Sequence, residues 1–161
     1  MTKLTNIIKR ELKSTRQLIN MTLLASSYDM GSTDPQVRRL KRLAAKAKRD
    51  LKLDNKVFFV NVKDRKNFSD SKGLNGFYNN VTKEIVVFVG HNSERRVAET
   101  LLHELTHAYQ DTHMNAKYKK SNADLKAKKT TYRDCWHERH ARANATRLIN
   151  IYCPIVDAYA V

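Results

Sequence analysis

The stretch from Ser93 to Gln110 reads as one helix, and it carries His103-Glu104-Leu105-Thr106-His107. Residues four apart share a helix face, so the two imidazoles can close on one metal ion. Glu104 falls one position round the helix, near enough to hold a water beside that metal. Val97, Ala98, Leu101, Leu102, Leu105 and Ala108 are available for burial, and Asn92 or Ser93 can cap the start. A chain built on this helix buries an apolar face directly beside two histidines. Two neutral imidazoles and a carboxylate base are the working parts of a zinc hydrolase, so one Zn2+ is the expected cofactor.

With 161 residues, 41% of them hydrophobic, the chain is expected to form one globular domain spanning 1–161. No apolar run approaches the roughly 20 residues that a membrane span requires. Leu18 to Ala25 is apolar, but Lys, Arg and Glu precede it at helical spacing, which reads as an amphipathic helix rather than a signal peptide. The two cysteines, Cys135 and Cys153, fall about five turns apart on one helix or its end, too far to bond. This usage excludes a disulfide framework and a zinc ribbon, and it fits an intracellular, cytoplasmic setting.

The patterning predicts an α+β chain: N-terminal helices, a small mixed or antiparallel sheet of about three strands, the motif helix and a C-terminal helix. Leu4 to Ser27 is read as a helix with Leu4, Ile8, Leu12, Ile19 and Leu23 on one stripe, broken by Gly31-Ser32-Thr33. Asp34-Pro35 starts a second helix, which buries Val37, Leu40, Ala44, Ala47 and Leu51. The helical part thus covers 1–53 and a catalytic core 57–153. Val57 to Val62 is β-rich, Lys63 to Asn75 is a loop, and Gly76-Phe77-Tyr78 and Glu84 to Val89 are strands joined through 79–83. Glu84 to Val89 is expected to border the substrate cleft, with an edge free to pair with an extended peptide. Ala116 to Thr130 is lysine-rich and reads as a loop or weakly held helix. The last helix is predicted from Thr131 to Tyr152, stopped by Pro154.

A catalytic zinc takes three protein ligands and keeps one position for water. Glu138 is the preferred third ligand. It shares an inward stripe with Ala141, Ala145, Leu148 and Tyr152, and a buried carboxylate needs a partner charge. The competing role for Glu138 is a salt bridge to Arg142. His113, ten residues after His103, is the runner-up ligand; the spacing resembles the metzincin pattern, which has a turning glycine where this chain has Gln110. His137 and His140, which flank Glu138, are alternative ligands, and Tyr132, His137 and His140 are candidates to assist an oxyanion or the substrate.

Thirty-one Lys and Arg face sixteen Asp and Glu, a formal +15, and such a field attracts polyanions. Arg38, Arg39, Arg42, Lys46 and Arg49 on the second helix are candidate nucleic-acid contacts. A solvated surface explains them equally well.

Leu101-Leu102-His103-Glu104-Leu105-Thr106-His107-Ala108-Tyr109 resembles the active-site helix of zincin metallopeptidases. The Gly-x-Tyr hairpin before it and His-Ala-Tyr at its end are similar to the SprT-like branch, which includes a DNA-dependent protease. Glu138-Arg139-His140-Ala141 with Ala145 and Leu148 resembles the glutamate helix of gluzincins, the ImmA and IrrE branch among them. There a small polar or acidic residue often stands four positions after the glutamate, where this chain has Arg142. The resemblance implies a zincin fold, zinc on His103 and His107, and Glu104 as base. Three functions follow as expectations: a zinc metallopeptidase acting on a protein or peptide, a SprT-like protease acting on nucleic-acid-bound proteins, and a non-enzymatic binding protein on the same scaffold.

Overall fold

The computed structural model describes residues 34–53, 59–64, 74–90 and 92–157, with the backbone alone for 59–64 and 153–157. The predicted helix at Leu4 to Ser27, the Gly31-Ser32-Thr33 break and most of the Lys63 to Asn75 loop lie outside these residues.

The first described helix, α1, spans Pro35–Asp50. Asp34 caps it, its Oδ1 accepting from the backbone N–H groups of Gln36 at 2.7 Å and Val37 at 3.2 Å. Pro35 sits in the first turn, where a missing N–H costs nothing. Val37, Leu40, Leu43, Ala44 and Ala47 form its buried face.

Three strands follow: β1 (Phe59–Asp64), β2 (Gly76–Asn79) and β3 (Glu84–Val89). They form one mixed sheet in the order β1-β3-β2, with β1 parallel and β2 antiparallel to β3. β3 is therefore the central strand. All six of its residues are buried, with Ile85, Val87 and Val89 entering the main core and Val86 and Phe88 packing with Phe77 on the other face. This corrects the expectation that β3 offers an edge to substrate. Both of its edges carry partner strands, and β2 is the edge strand nearest the motif helix.

That helix, α2, spans Glu94–His113 and is capped by Ser93, whose Oγ accepts from the Arg96 N–H. It is buried on most sides, through Leu101, Leu102, Leu105 and Ala108 in the core and through Glu104, Thr106, His107 and Gln110 near the site. One core cluster joins α1, β3, α2 and the C-terminal helix.

After Met114 the chain enters a further helix, α3 (Asn115–Lys126). The lysine-rich segment is thus a helix over most of its length. Its single buried residue is Ser121, while Tyr118 turns its ring toward His107 and His137.

The last helix, α4, spans Trp136–Asp157 and starts five residues later than its periodicity suggests. Thr131 holds residues 131–135 in a turn: its Oγ1 bonds the Asp134 carboxylate, and its carbonyl accepts from the Cys135 N–H. The helix continues through Pro154, so that residue does not stop it. Near a helix end, proline removes one backbone hydrogen bond and the remaining turn persists. α2 and α4 run antiparallel, since Arg95 reaches Asn150 while Gln110 reaches the carbonyl of His137. Ala141 and Ala145, both buried, keep the two helices close.

Candidate metal centre

His103 and His107 stand one turn apart on α2 with their Nε2 atoms 3.1 Å apart. Glu138, from the first turn of α4, reaches both. Its Oε2 lies 3.3 Å from Nε2 of His103 and its Oε1 lies 3.3 Å from Nε2 of His107. A tetrahedral zinc with bonds of about 2.0–2.1 Å separates its ligand atoms by about 3.3 Å; the two imidazole nitrogens are 3.1 Å apart, and each has its own Glu138 oxygen at 3.3 Å, which is the right scale for one ion. Two imidazole nitrogens and one carboxylate oxygen also suit zinc chemically. Among the described residues, these three make up the His/Cys/Asp/Glu group able to hold a metal ion.

Burial would push the Glu138 carboxyl up, but hydrogen bonds from His103 and His107, the His107 charge and the Tyr132 hydroxyl hold it well below the usual range. Its contact with Arg142 is looser, at 3.8 Å. The predicted salt bridge therefore exists beside the two imidazole contacts.

His107 is oriented from behind by Gln110, which is fully buried. The Gln110 side-chain nitrogen lies 2.8 Å from the carbonyl oxygen of His137, which can only accept, so that end must be the amide donor. The amide oxygen then faces Nδ1 of His107 at 2.9 Å, and Nδ1 must carry a proton. The Nε2 lone pair of a neutral His107 is thereby directed at the metal position. The second amide proton points to Nδ1 of His140 at 2.9 Å.

Glu104 lies beside the centre and accepts a hydrogen bond from the Tyr78 backbone N–H on β2. Burial raises its pKa; the charges of His107 and His103 and the Tyr78 bond oppose this rise, while the Glu138 charge adds to it. β2 approaches α2 closely at Gly76, where a Cβ would fall 2.7 Å from the Val86 carbonyl oxygen and 2.8 Å from Thr100 Cγ2.

A cleft of about 500 Å³ opens at the centre. Leu74, Asn75 and Gly76 form one wall, and His103, Glu104, Tyr132, Glu138 and Arg142 lie along it. Tyr132 is 62% exposed, and its phenol bonds Glu138. Where the phenol meets Glu138, local burial and the charge of that carboxylate push its pKa up.

Other residues singled out from the sequence are placed elsewhere. His113 is exposed at the end of α2 and bonds the Lys52 carbonyl at 3.1 Å, outside the triangle. His137 is buried behind His107, against Ser121 Oγ at 2.9 Å and Cys135 Sγ at 3.6 Å. His140 lies between Gln110 and the Trp136 ring. Neither lines the cleft, although His137 Nε2 comes within 3.8 Å of Glu138 Oε1 behind it. On α1, Arg38, Arg42 and Arg49 are exposed, Arg39 pairs with Glu94, and Lys46 covers the Tyr152 ring. Gln110, Ser121 and Tyr118 also surround the centre, and the motif spacing does not single them out. Gln110 is a buried polar residue three positions after His107, and that placement was the available signal.

Residues 54–154 match the family described as protein of unknown function, DUF3920, and the chain belongs to that family. The matched span holds the sheet and every residue of the centre, whereas α1 precedes it. No curated protein and no solved structure matches the chain. No described helix is long and apolar enough to cross a membrane.

Proposed function

We propose that the protein is a zinc-dependent metallopeptidase of zincin type, with His103, His107 and Glu138 as ligands and Glu104 as general base. The observation that carries this reading is the cluster of His103, His107 and Glu138, with contacts of 3.1 to 3.3 Å, on a cleft that Glu104 also lines. A closed four-ligand site would favour a purely structural or binding role. Among the described residues, the metal-holding group has three members.

Zinc, when bound, supplies Lewis acidity that makes water acidic near neutral pH and polarises a carbonyl. Glu104 takes the proton of the attacking water on its carboxylate, and the same oxygen returns it to the leaving amine. Tyr132, kept neutral beside Glu138, is positioned to donate its phenolic proton in a hydrogen bond to the developing oxyanion. The 74–76 wall, leading into edge strand β2, offers backbone groups to an extended peptide. The test is cleavage of a denatured protein mixture by the zinc-loaded protein, with Glu104→Gln as control. Equal cleavage by both forms removes Glu104 as base, and none by either removes the activity.

A second reading, action on proteins bound to nucleic acid, is favoured by the exposed Arg38, Arg42 and Arg49 on α1. It predicts stimulation by DNA or RNA that fades as salt rises. Activity indifferent to both would leave these arginines as a solvated face.

A further inference from the structure

The cleft walls differ sharply in charge. Arg96 and Glu99 neutralise each other at 3.2 Å, and Glu99 also meets Arg95 at 3.7 Å. Leu74, Thr100, Ala145 and Thr146 add no charge. Arg142 is different. It stands one turn after Glu138 on α4, with 44% of its side chain exposed. One terminal nitrogen is anchored on the Arg133 carbonyl, and the other lies 3.8 Å from Glu138, beyond hydrogen-bonding reach. A guanidinium has five N–H donors in a rigid fork, so most of them are still open to the cleft.

The lining carries two cations, Arg96 and Arg142, and three carboxylates, Glu99, Glu104 and Glu138. A divalent ion on the triangle turns this balance from one negative to one positive. Glu138 then shares its charge with the metal, and Arg142 is the lining cation next to it, while Arg96 stays on Glu99 at 3.2 Å.

We infer that Arg142 is a specificity-determining residue that binds a carboxylate of the substrate, so that the site prefers acidic peptides. This rests on the metallopeptidase reading for the occupant of the cleft. The fork matches a carboxylate bidentately, and the anchor on Arg133 means that less side-chain freedom is lost on binding. The carboxylate is either an Asp or Glu side chain near the scissile bond or the peptide's own C-terminus.

The test uses the zinc-loaded full chain and labelled peptides of one sequence carrying Glu, Gln or Lys at successive positions. Each is made with a free or amidated C-terminus. Binding is read by anisotropy and cleavage by fluorescence. Glu at one position is expected to bind about tenfold more tightly than Gln, an effect seen in KM rather than kcat. Sensitivity to amidation instead assigns the terminal carboxylate. Arg142→Gln should abolish the preference with zinc content unchanged, and Arg142→Glu should reverse it in favour of Lys. The inference is overturned if wild type binds none of the peptides or treats them alike. It is equally overturned if Arg142→Gln keeps the preference, or if it sheds zinc because Arg142 acts through Glu138. Preference in binding without cleavage would sink hydrolysis and leave Arg142 standing. Cleavage without preference would do the reverse.

Discussion

The side-chain oxygen of Gln110 lies 2.9 Å from Nδ1 of His107, three residues earlier on the same helix. The partner carbonyl of His137 fixes which end of the amide is which, so this contact sets the His107 tautomer. A zinc-binding histidine usually leans on a carboxylate, carbonyl or water for this purpose. In the proposed centre a carboxamide would do it, and the same side chain ties α2 to the start of α4.

Gln110→Leu should therefore weaken zinc binding by about 10- to 100-fold, and Gln110→Glu should retain most of it. Competition with a chelator of known affinity measures both. Equal affinity in all three proteins would make Gln110 a packing residue only.

Glu138 and His113 are separated by paired variants. Glu138→Ala removes one ligand of three and should release zinc, while His113→Ala should keep it, because His113 sits on the Lys52 carbonyl. Wild type should also melt higher with zinc. At a free concentration 100 times the dissociation constant, the gain is about 2.7 kcal/mol. Zinc content after dialysis and melting curves with and without chelator decide this. Loss of zinc on His113→Ala would reverse the assignment.

Glu104→Gln should bind zinc normally and lose about 10²- to 10⁴-fold in turnover. The amide keeps the shape and an acceptor for the Tyr78 N–H but cannot take a proton. The check is zinc stoichiometry alongside initial rates on a substrate that wild type cleaves. Undiminished rates would transfer the base function elsewhere.

Gly76→Ala places a methyl group against the Val86 carbonyl and Thr100, on the line where β2 meets α2. Overpacking of this kind costs about 1–3 kcal/mol. Denaturant unfolding should show that loss. Because β2 also supplies the N–H that Glu104 accepts, turnover should fall further than zinc affinity.

The motif helix and its buried face are written openly in the spacing of Leu101, Leu105 and the two histidines, because one periodicity controls all of them. Glu138 is readable for the same reason, through the stripe it shares with Ala141 and Ala145. Strand order is not a local property, so an edge at Glu84 to Val89 is an expectation that only the assembled sheet corrects. Its nearly unbroken apolar run, Ile85 to Val89, is the mark of a strand covered on both faces and pointed to the centre of the sheet. The α3 segment has almost no apolar stripe, so its helix depends on contacts such as Ser121 with His137, which only the tertiary fold creates. His137 and His140 looked suitable by chemistry alone. Neither lines the cleft, yet His137 still comes within 3.8 Å of a Glu138 oxygen, and Gln110 is hard to single out because polar residues three after a histidine are common.

The most direct measurement is a crystal structure of the zinc-loaded protein with anomalous data collected at the zinc edge. The account predicts one peak about 2.0–2.2 Å from Nε2 of His103, Nε2 of His107 and a carboxylate oxygen of Glu138, open toward the cleft. A peak on other residues, or zinc-soaked crystals with no peak between these three side chains, would contradict it.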